Sequence, residues 1–137
     1  MSTPFTLHPR LAADTIALGD WPLCRLLVMN DARYPWLILV PARPDLREIH
    51  DLPPPDRATL IGEIAQASTL MQQAFKADKM NIAALGNQVP QLHVHVIARF
   101  MSDPAWPNPV WGQGAAQPMS EEVRAGRIAG LRPLLAG

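Results

Sequence analysis

The spacing of apolar positions divides the chain into segments of two kinds. Short apolar runs bounded by Pro, Gly, Asn or Asp are typical of β-strands, whereas apolar residues three and four positions apart indicate an amphipathic helix. The first forty residues contain three runs of the first kind, at 15–18, 23–29 and 36–40. Because only short links separate these runs, they predict an antiparallel meander.

The pattern changes to a helical period after the proline cluster at 53–55. One helical stripe between Asp56 and about Asp78 collects Leu60, Ile61, Ile64, Ala67, Met71, Ala74 and Phe75, while Glu63 falls outside it. Two more strand-like runs follow at 80–85 and 92–100, and Ser120 is a typical N-cap for a short helix to about Leu131. This order predicts an α+β fold with a mostly antiparallel sheet, one long central helix and a short C-terminal helix.

Length and composition are those of a small globular protein. The chain has 137 residues, 48% of them apolar, which predicts one domain over 1–137 that ends in a C-terminal loop and helix over 106–137. The formal net charge is zero, so no strong field attracts nucleic acid or an anionic membrane. The single cysteine, Cys24, excludes an internal disulfide and fits a reducing compartment. The first five residues do not have the pattern of a secretory leader, and we expect a cytoplasmic protein.

The strand at 92–100 carries the most reactive side chains of the chain. With the residue before it, the strand begins with the sequence Gln91-Leu92-His93-Val94-His95-Val96-Ile97. Because side chains alternate across a strand, one face is apolar, while the other presents an amide and two imidazoles in a row. Burying these three groups unpaired is costly, so we expect them to line a cleft. An imidazole can act as base, acid or nucleophile near neutral pH, and this spacing places one ring at a reacting atom and the other beside its oxygens.

Two other interpretations of the histidine pair stay open at this point. A histidine on a strand is often a hydrogen-bonded structural residue. The pair is also a common metal-ligand arrangement, which makes a metal-dependent hydrolase an alternative. A catalytic zinc site usually needs a third protein ligand, and neither His8 nor His50 has a motif around it. We therefore expect no cofactor and no tightly bound transition metal.

The motif and its context resemble the histidine triad (HIT) family of hydrolases and transferases. Its signature is His-φ-His-φ-His-φ-φ, where φ is apolar, and residues 91–97 match it at every position but the first. Asn30 at the end of a strand, the strand at 36–40 and the following helix occur in the family's order, so the resemblance covers roughly residues 10–105. It implies an α+β fold that forms homodimers by joining two sheets into one.

The resemblance also implies a mechanism and a set of site residues. The middle histidine, His93, would attack the α-phosphorus of a nucleotide-like substrate to form a nucleotidyl-imidazole intermediate, and His95 would contact the phosphate oxygens or the leaving group. The main-chain carbonyl of Gln91 would orient the nucleophile. Asn87 and Gln88 match positions of phosphate donors.

The resemblance also covers a residue near the substrate's ribose, and the chain departs from the family pattern at two places. Asn30 matches an asparagine that some members place near the ribose. Two departures set the chain apart: Gln91 replaces the first motif histidine, and Pro35-Trp36 replaces a Gly-His pair. Trp36 is a candidate for stacking on a base, although a position in the core is the favoured interpretation. Because the nucleophile is retained, we expect activity on a small nucleotide conjugate, and dinucleoside polyphosphates, nucleoside phosphoramidates and similar conjugates all stay open as substrates. The alternative is a non-catalytic nucleotide-binding module.

Overall fold

The fold is described from a computed structural model that covers residues 4–136. Residues 1–3 and 137 lie outside the described part, so the expectation about a leader and the outer ends of the predicted domain fall partly on residues that are not described. The elements are α1 (Pro9–Asp14), β1 (Thr15–Asp20), β2 (Cys24–Met29), β3 (Trp36–Pro41), α2 (Pro54–Phe75), β4 (Lys79–Ala83), β5 (Val94–Arg99) and α3 (Glu121–Leu131), with 3₁₀ turns at Ile49–Asp51 and Arg132–Ala136.

The strands form an antiparallel five-stranded sheet in the order β1-β2-β3-β5-β4. This confirms the predicted α+β class and the meander of the first three strands. The later two strands join the same sheet, with β5 between β3 and β4, so the histidine strand is an interior strand. An interior strand has both edges hydrogen-bonded, which holds its side chains in a fixed orientation.

Each face of the sheet packs on its own apolar core. Helix α2 covers one face, where Leu60, Ala67 and Met71 pack on β-strand residues. The other face packs on a smaller cluster that includes Leu11 of α1 and Val110 of the C-terminal loop. Both faces of β5 are therefore buried, and the histidine face lies within the second core.

The stripe predicted for α2 is confirmed at most positions and wrong at three, of which Ala74 is exposed. Ile61 is 60% exposed, whereas Glu63 is 5% exposed. The Glu63 carboxylate accepts hydrogen bonds from the backbone N–H groups of Leu23 (3.0 Å) and Cys24 (2.9 Å). These bonds satisfy two donors at the start of β2 and compensate for burying the carboxylate, which a periodicity argument does not detect.

The C-terminal loop is attached to the sheet by a buried ion pair. Arg99 and Asp103 are joined by a 2.8 Å contact, with side chains 1% and 3% exposed. Arg99 also donates to the carbonyl of Asn108, and its guanidinium lies over the ring of Trp106. These contacts fix the irregular loop that carries Val110 and Trp111 onto the histidine face of the sheet.

Candidate active site

The motif strand presents its two kinds of side chain to opposite faces of the sheet. Leu92, Val94 and Val96 pack in the core under α2, as their alternation predicted. His93 directly precedes β5 and His95 is its second residue, and both point to the opposite face. Their rings are 4.9 Å apart between centroids. The sequence therefore brings the two imidazoles together as predicted.

The proton on His93 is fixed by its backbone partner. His93 Nδ1 lies 2.7 Å from the main-chain oxygen of Gln91. A carbonyl only accepts hydrogen bonds, so Nδ1 must carry the proton and donate it. In the neutral ring this leaves the lone pair on Nε2, which has no hydrogen-bond partner among residues 4–136. His93 is thus an imidazole with an available Nε2.

The proton on His95 is fixed in the opposite way. Trp36 Nε1 donates a hydrogen bond to His95 Nδ1 over 3.0 Å. An indole N–H is only a donor, so His95 Nδ1 must hold the lone pair and Nε2 must carry the proton. Burial is the main cause, and electrostatic repulsion between the two neighbouring imidazoles the second, of a lowering of the pKa of His95 to about 4. His95 is consequently a neutral ring with an N–H at Nε2 near neutral pH.

A cavity of about 350 Å³ lies against both imidazoles. Its other walls come from α1, from the turn before the motif and from the C-terminal loop; they include Arg10, Leu11, Asp14, Gly86, Asn87, Gln88 and Trp111. His93 and His95 are only 7% and 5% exposed, so they form the inner wall rather than an open cleft. A cavity of this size holds a small ligand against the unpaired nitrogen of His93.

His93 also borders a second cavity, of about 280 Å³, on its other side. This one is lined by the segment after β3, including Arg47 and His50, and the two cavities share Leu85 and Gly86. Gly86 has a φ of +76°, a conformation that favours glycine, and it makes the turn between β4 and the motif. His93 therefore lies where the two cavities share a wall.

The amide of Gln91 contacts the N-terminal segment. Its Oε1 accepts a hydrogen bond from the backbone N–H of His8, and its Nε2 donates to the carbonyl of Thr6, both at 2.8 Å. His8 in turn accepts from the backbone N–H of Arg10 through Nδ1, as the N-cap of α1. Gln91 thus holds the segment that leads into one wall of the cavity, while its carbonyl orients His93.

The remaining predicted site residues separate into two groups. Asn87 and Gln88 line the cavity beside His93. Asn30 is not among its lining residues; its Oδ1 accepts from the backbone N–H of Met119 and ties the C-terminal segment to the end of β2. Trp36 is 5% exposed and packs edge-on against His95 and Trp111, so it is part of the second core instead of a free stacking surface.

Several cavity residues were missed because their segments gave a weak sequence signal. Arg10, Leu11 and Asp14 belong to α1, a six-residue helix that begins at Pro9. A proline at the first helical position after a capping side chain was the available signal. Trp111 lies in a proline-rich loop, where no periodicity shows which side chains face the sheet.

Neither a metal cluster nor a membrane span is found in the part of the chain that the structure describes. No three His, Cys, Asp or Glu side chains of residues 4–136 are grouped so that they could hold a metal ion. Among the same residues, no helix combines the length and apolarity needed to cross a bilayer.

Comparison with known proteins gives consistent matches over nearly the whole chain. The HIT domain family model matches residues 10–102. A histidine triad protein of Marinobacter aquaeolei VT8 is 51% identical, with a TM-score of 0.95 and 98% of each chain covered. One from Bradyrhizobium japonicum is 50% identical, with a TM-score of 0.93 over 96% of this chain and 98% of that one.

A third solved relative agrees with these two. The histidine triad protein of Sinorhizobium meliloti 1021 is 49% identical, with a TM-score of 0.91 over 94% of this chain and 96% of that one. The comparison with curated proteins gave no match. The family model covers most of the chain, and these three relatives share about half of its residues and its fold. The chain belongs to the HIT family.

Proposed function

We propose that the protein is a nucleotide hydrolase or nucleotidyl transferase that uses His93 as its nucleophile. The observation that carries the proposal is the 2.7 Å hydrogen bond from His93 Nδ1 to the carbonyl of Gln91, which leaves the lone pair on Nε2 of a ring that lines a ligand-sized cavity. Members of the HIT family are commonly nucleotide hydrolases or transferases. The side chain that differs from the family signature, that of Gln91, takes no part in this bond.

The proposed reaction proceeds in two displacements. The lone pair of His93 Nε2 forms a bond to the α-phosphorus, and the bond from phosphorus to the leaving group breaks with its electron pair on the leaving group. The oxygen of water, or of another acceptor, then forms a bond to phosphorus and releases its proton to solvent, while the N–P bond breaks and its electron pair returns to Nε2. Covalent catalysis of this kind replaces one difficult step with two easier ones.

The neighbours of His93 have the chemistry to bind a phosphate ester. His95 Nε2–H is a donor beside the nucleophile, and Asn87 and Gln88 add amide groups at the cavity wall. Arg10 brings a guanidinium to the same cavity, where Asp14 pairs with it over 3.7 Å, and Arg47 brings another to the second one. Donors and cations around the reacting phosphorus stabilise the negative charge on its oxygens. We assign Gln91 an orienting role through its carbonyl.

A substrate panel tests the proposal directly. The purified protein is incubated with diadenosine tetraphosphate, adenosine 5′-phosphoramidate and a fluorogenic nucleoside phosphoramidate, each with and without a chelator. We expect release of a nucleoside monophosphate that the chelator does not abolish. Tight binding of AMP without any turnover would favour the nucleotide-binding module, and loss of turnover with removal of stoichiometric zinc would favour a metal-dependent hydrolase.

The covalent intermediate provides an independent test. Because nucleotidyl-imidazoles are labile in acid, the protein is quenched at alkaline pH and analysed by native mass spectrometry. We expect a transient increase in mass equal to one nucleoside monophosphate unit, located on the peptide that contains His93. Turnover without such a species on single-turnover timescales would contradict the two-step mechanism.

A further inference from the structure

The contact between Trp36 and His95 is unusual because it restricts the chemistry of one active-site ring. Both side chains are 5% exposed, and the indole N–H donates to His95 Nδ1 over 3.0 Å. Protonating Nδ1 would remove this hydrogen bond and leave two N–H groups facing each other. The indole therefore opposes both the Nδ1–H tautomer and the imidazolium form of His95.

The surroundings of His95 reinforce this restriction. The ring of Trp111 packs edge-on against it, with centroids 5.2 Å apart. The titratable and charged groups that share its cavity are His93 on the same strand and Arg10 and Asp14 on α1, where these last two form an exposed ion pair of 3.7 Å. Because no carboxylate is hydrogen-bonded to the His95 ring among residues 4–136, no anionic partner supports the imidazolium.

His95 Nε2 is the ring nitrogen left for a ligand. It has no hydrogen-bond partner among residues 4–136. In that range Tyr34 Oη is the only side-chain polar atom that is both fully buried and without a partner, so His95 Nε2 is not fully buried. Because the cavity lies against the His95 ring, a ligand can reach Nε2 from it. A neutral imidazole N–H donates a hydrogen bond to an oxyanion, but it is a very weak acid compared with an imidazolium.

We propose that Trp36 is a positioning residue that keeps His95 a neutral hydrogen-bond donor, and that the site therefore selects phosphoanhydride over phosphoramidate substrates. The inference rests on the function proposed above. When His93 Nε2 bonds to phosphorus in an anhydride, the P–O bond breaks and the leaving phosphate keeps the electron pair as a stable anion, which accepts a hydrogen bond from His95. An amine leaving group needs a proton instead, and a locked neutral His95 does not supply one.

The selectivity is tested with one pair of substrates and two variants. The ratio of kcat/KM for diadenosine tetraphosphate to that for adenosine 5′-phosphoramidate is measured for the wild type, for Trp36→Phe and for Trp21→Phe. Trp21 is the matched control because it is 8% exposed and its Nε1 donates to the carbonyl of Leu134, in the core under α2. We expect the wild type to prefer the anhydride.

Trp36→Phe removes the donor and keeps an aromatic ring. We expect the substrate ratio to fall by about tenfold or more, since general acid catalysis contributes about 100-fold or more when it becomes available. Trp21→Phe should leave the ratio as in the wild type.

The tautomer itself is measured by ¹⁵N NMR of the imidazole nitrogens, independently of turnover. Wild-type His95 should show an unprotonated Nδ1 and a protonated Nε2 at pH 7, and Trp36→Phe should show mixed tautomers. A wild-type His95 that is cationic or protonated at Nδ1 overturns the proposal that Trp36 keeps this ring a neutral donor. If His95 is neutral and protonated at Nε2 but the enzyme prefers the phosphoramidate, the proposed selectivity is overturned. If His95 is in this form and no nucleotide is turned over, the selectivity and the proposed function are both overturned.

Discussion

At position 91 the backbone and the side chain have different tasks. The carbonyl of Gln91 holds the proton of His93, and the amide holds Thr6 and His8 of the N-terminal segment. A change of side chain leaves the carbonyl in place. The first position of the family motif can therefore differ here while His93 keeps its tautomer.

We predict that Gln91→His changes kcat by no more than about tenfold, equivalent to about 1.4 kcal/mol. The reason is that the orienting carbonyl survives this substitution, whereas the amide acts on the N-terminal segment. Steady-state turnover of the best nucleotide conjugate measures the effect. If Gln91→His made an inert protein active, native catalysis would be refuted and the binding-module alternative would stand.

At the level of single residues, the sequence predicted on which face of the sheet a side chain lies, because this follows from the alternation along a strand. His93 and His95 share a face because they are two apart on a strand, and this required no knowledge of the rest of the fold. The tautomer of His95 depends on Trp36, which lies 59 positions away on a different strand. Such a long-range partner has no signature in the local pattern, and Glu63 was misassigned for the same reason.

At the level of elements, α1 forms a wall of the cavity although it is only six residues long. A helix this short is not stable by itself, so its position depends on tertiary contacts. Those contacts are Leu11, which is buried in the second core, and the two hydrogen bonds of the Gln91 amide. Hydrophobic periodicity does not reveal a helix of fewer than two turns, which explains why α1 was absent from the predicted order of elements.

We predict that Gln91→Leu loosens the segment leading into α1. The substitution keeps the size of the side chain and removes two hydrogen bonds, each worth about 1 kcal/mol. Hydrogen exchange at the amide of His8, which donates to Gln91 Oε1, should become about tenfold faster or more. Gln73→Leu, at an exposed position on α2, is the matched control. Unchanged protection of the His8 amide in Gln91→Leu would contradict the proposed attachment.

The C-terminal loop depends on the buried pair between Arg99 and Asp103. Burial alone would raise the pKa of Asp103, but the hydrogen bonds from Arg99 and from backbone N–H groups outweigh it and lower the pKa to about 2. Because the folded-state pKa is lowered, this contribution to stability is complete above the ordinary pKa of the carboxyl group. It is lost as the pH falls through about 2.

We predict that Asp103→Asn lowers the free energy of unfolding at pH 7 by about 3 kcal/mol, because it leaves the Arg99 guanidinium buried without its counter-charge. Urea unfolding followed by tryptophan fluorescence measures this change. Asp20→Asn is the control, since Asp20 pairs with Arg25 at the surface over 3.7 Å, and exposed pairs contribute about 1 kcal/mol or less. Equal effects of the two substitutions would refute the anchoring role of the buried pair.

At the scale of the whole molecule, the two edges of the sheet differ. The edge at β1 packs against the C-terminal 3₁₀ turn, where Leu135 lies next to Gly19. The edge at β4 has no partner strand among residues 4–136, and Ile82 and Leu85 beside it are 46% and 47% exposed. An unpaired edge with exposed apolar side chains is suited to pairing with another chain.

We predict a homodimer that joins two sheets across β4. Light scattering should give twice the chain mass of 15.1 kDa at micromolar concentrations. Ile82→Asp should reduce this to the monomer mass by placing a charge in the interface, while Val123→Asp, at an exposed position on α3, should not. A monomer mass for the wild type would contradict the prediction, and a dimer that survives Ile82→Asp would place the interface elsewhere.

The sequence predicted the class of the fold and the strand that carries the chemistry, because both follow from periodicity and from one compact motif. The cavity around that strand is assembled from α1, the turn after β4 and the C-terminal loop, which meet only in the folded chain. Asn30 illustrates the limit, since its position at the end of β2 was predicted from the sequence, whereas its hydrogen bond to the backbone N–H of Met119 joins residues 89 positions apart.

The most direct test of the account is the turnover of His93→Ala. We predict that kcat on the best nucleotide conjugate falls by about four orders of magnitude or more, as happens when a nucleophile is removed. The circular dichroism spectrum should remain that of the wild type, because the ring borders existing cavities on two sides. His93→Gln should show the same loss. A folded His93→Ala protein with a near wild-type rate would contradict nucleotidyl transfer through His93.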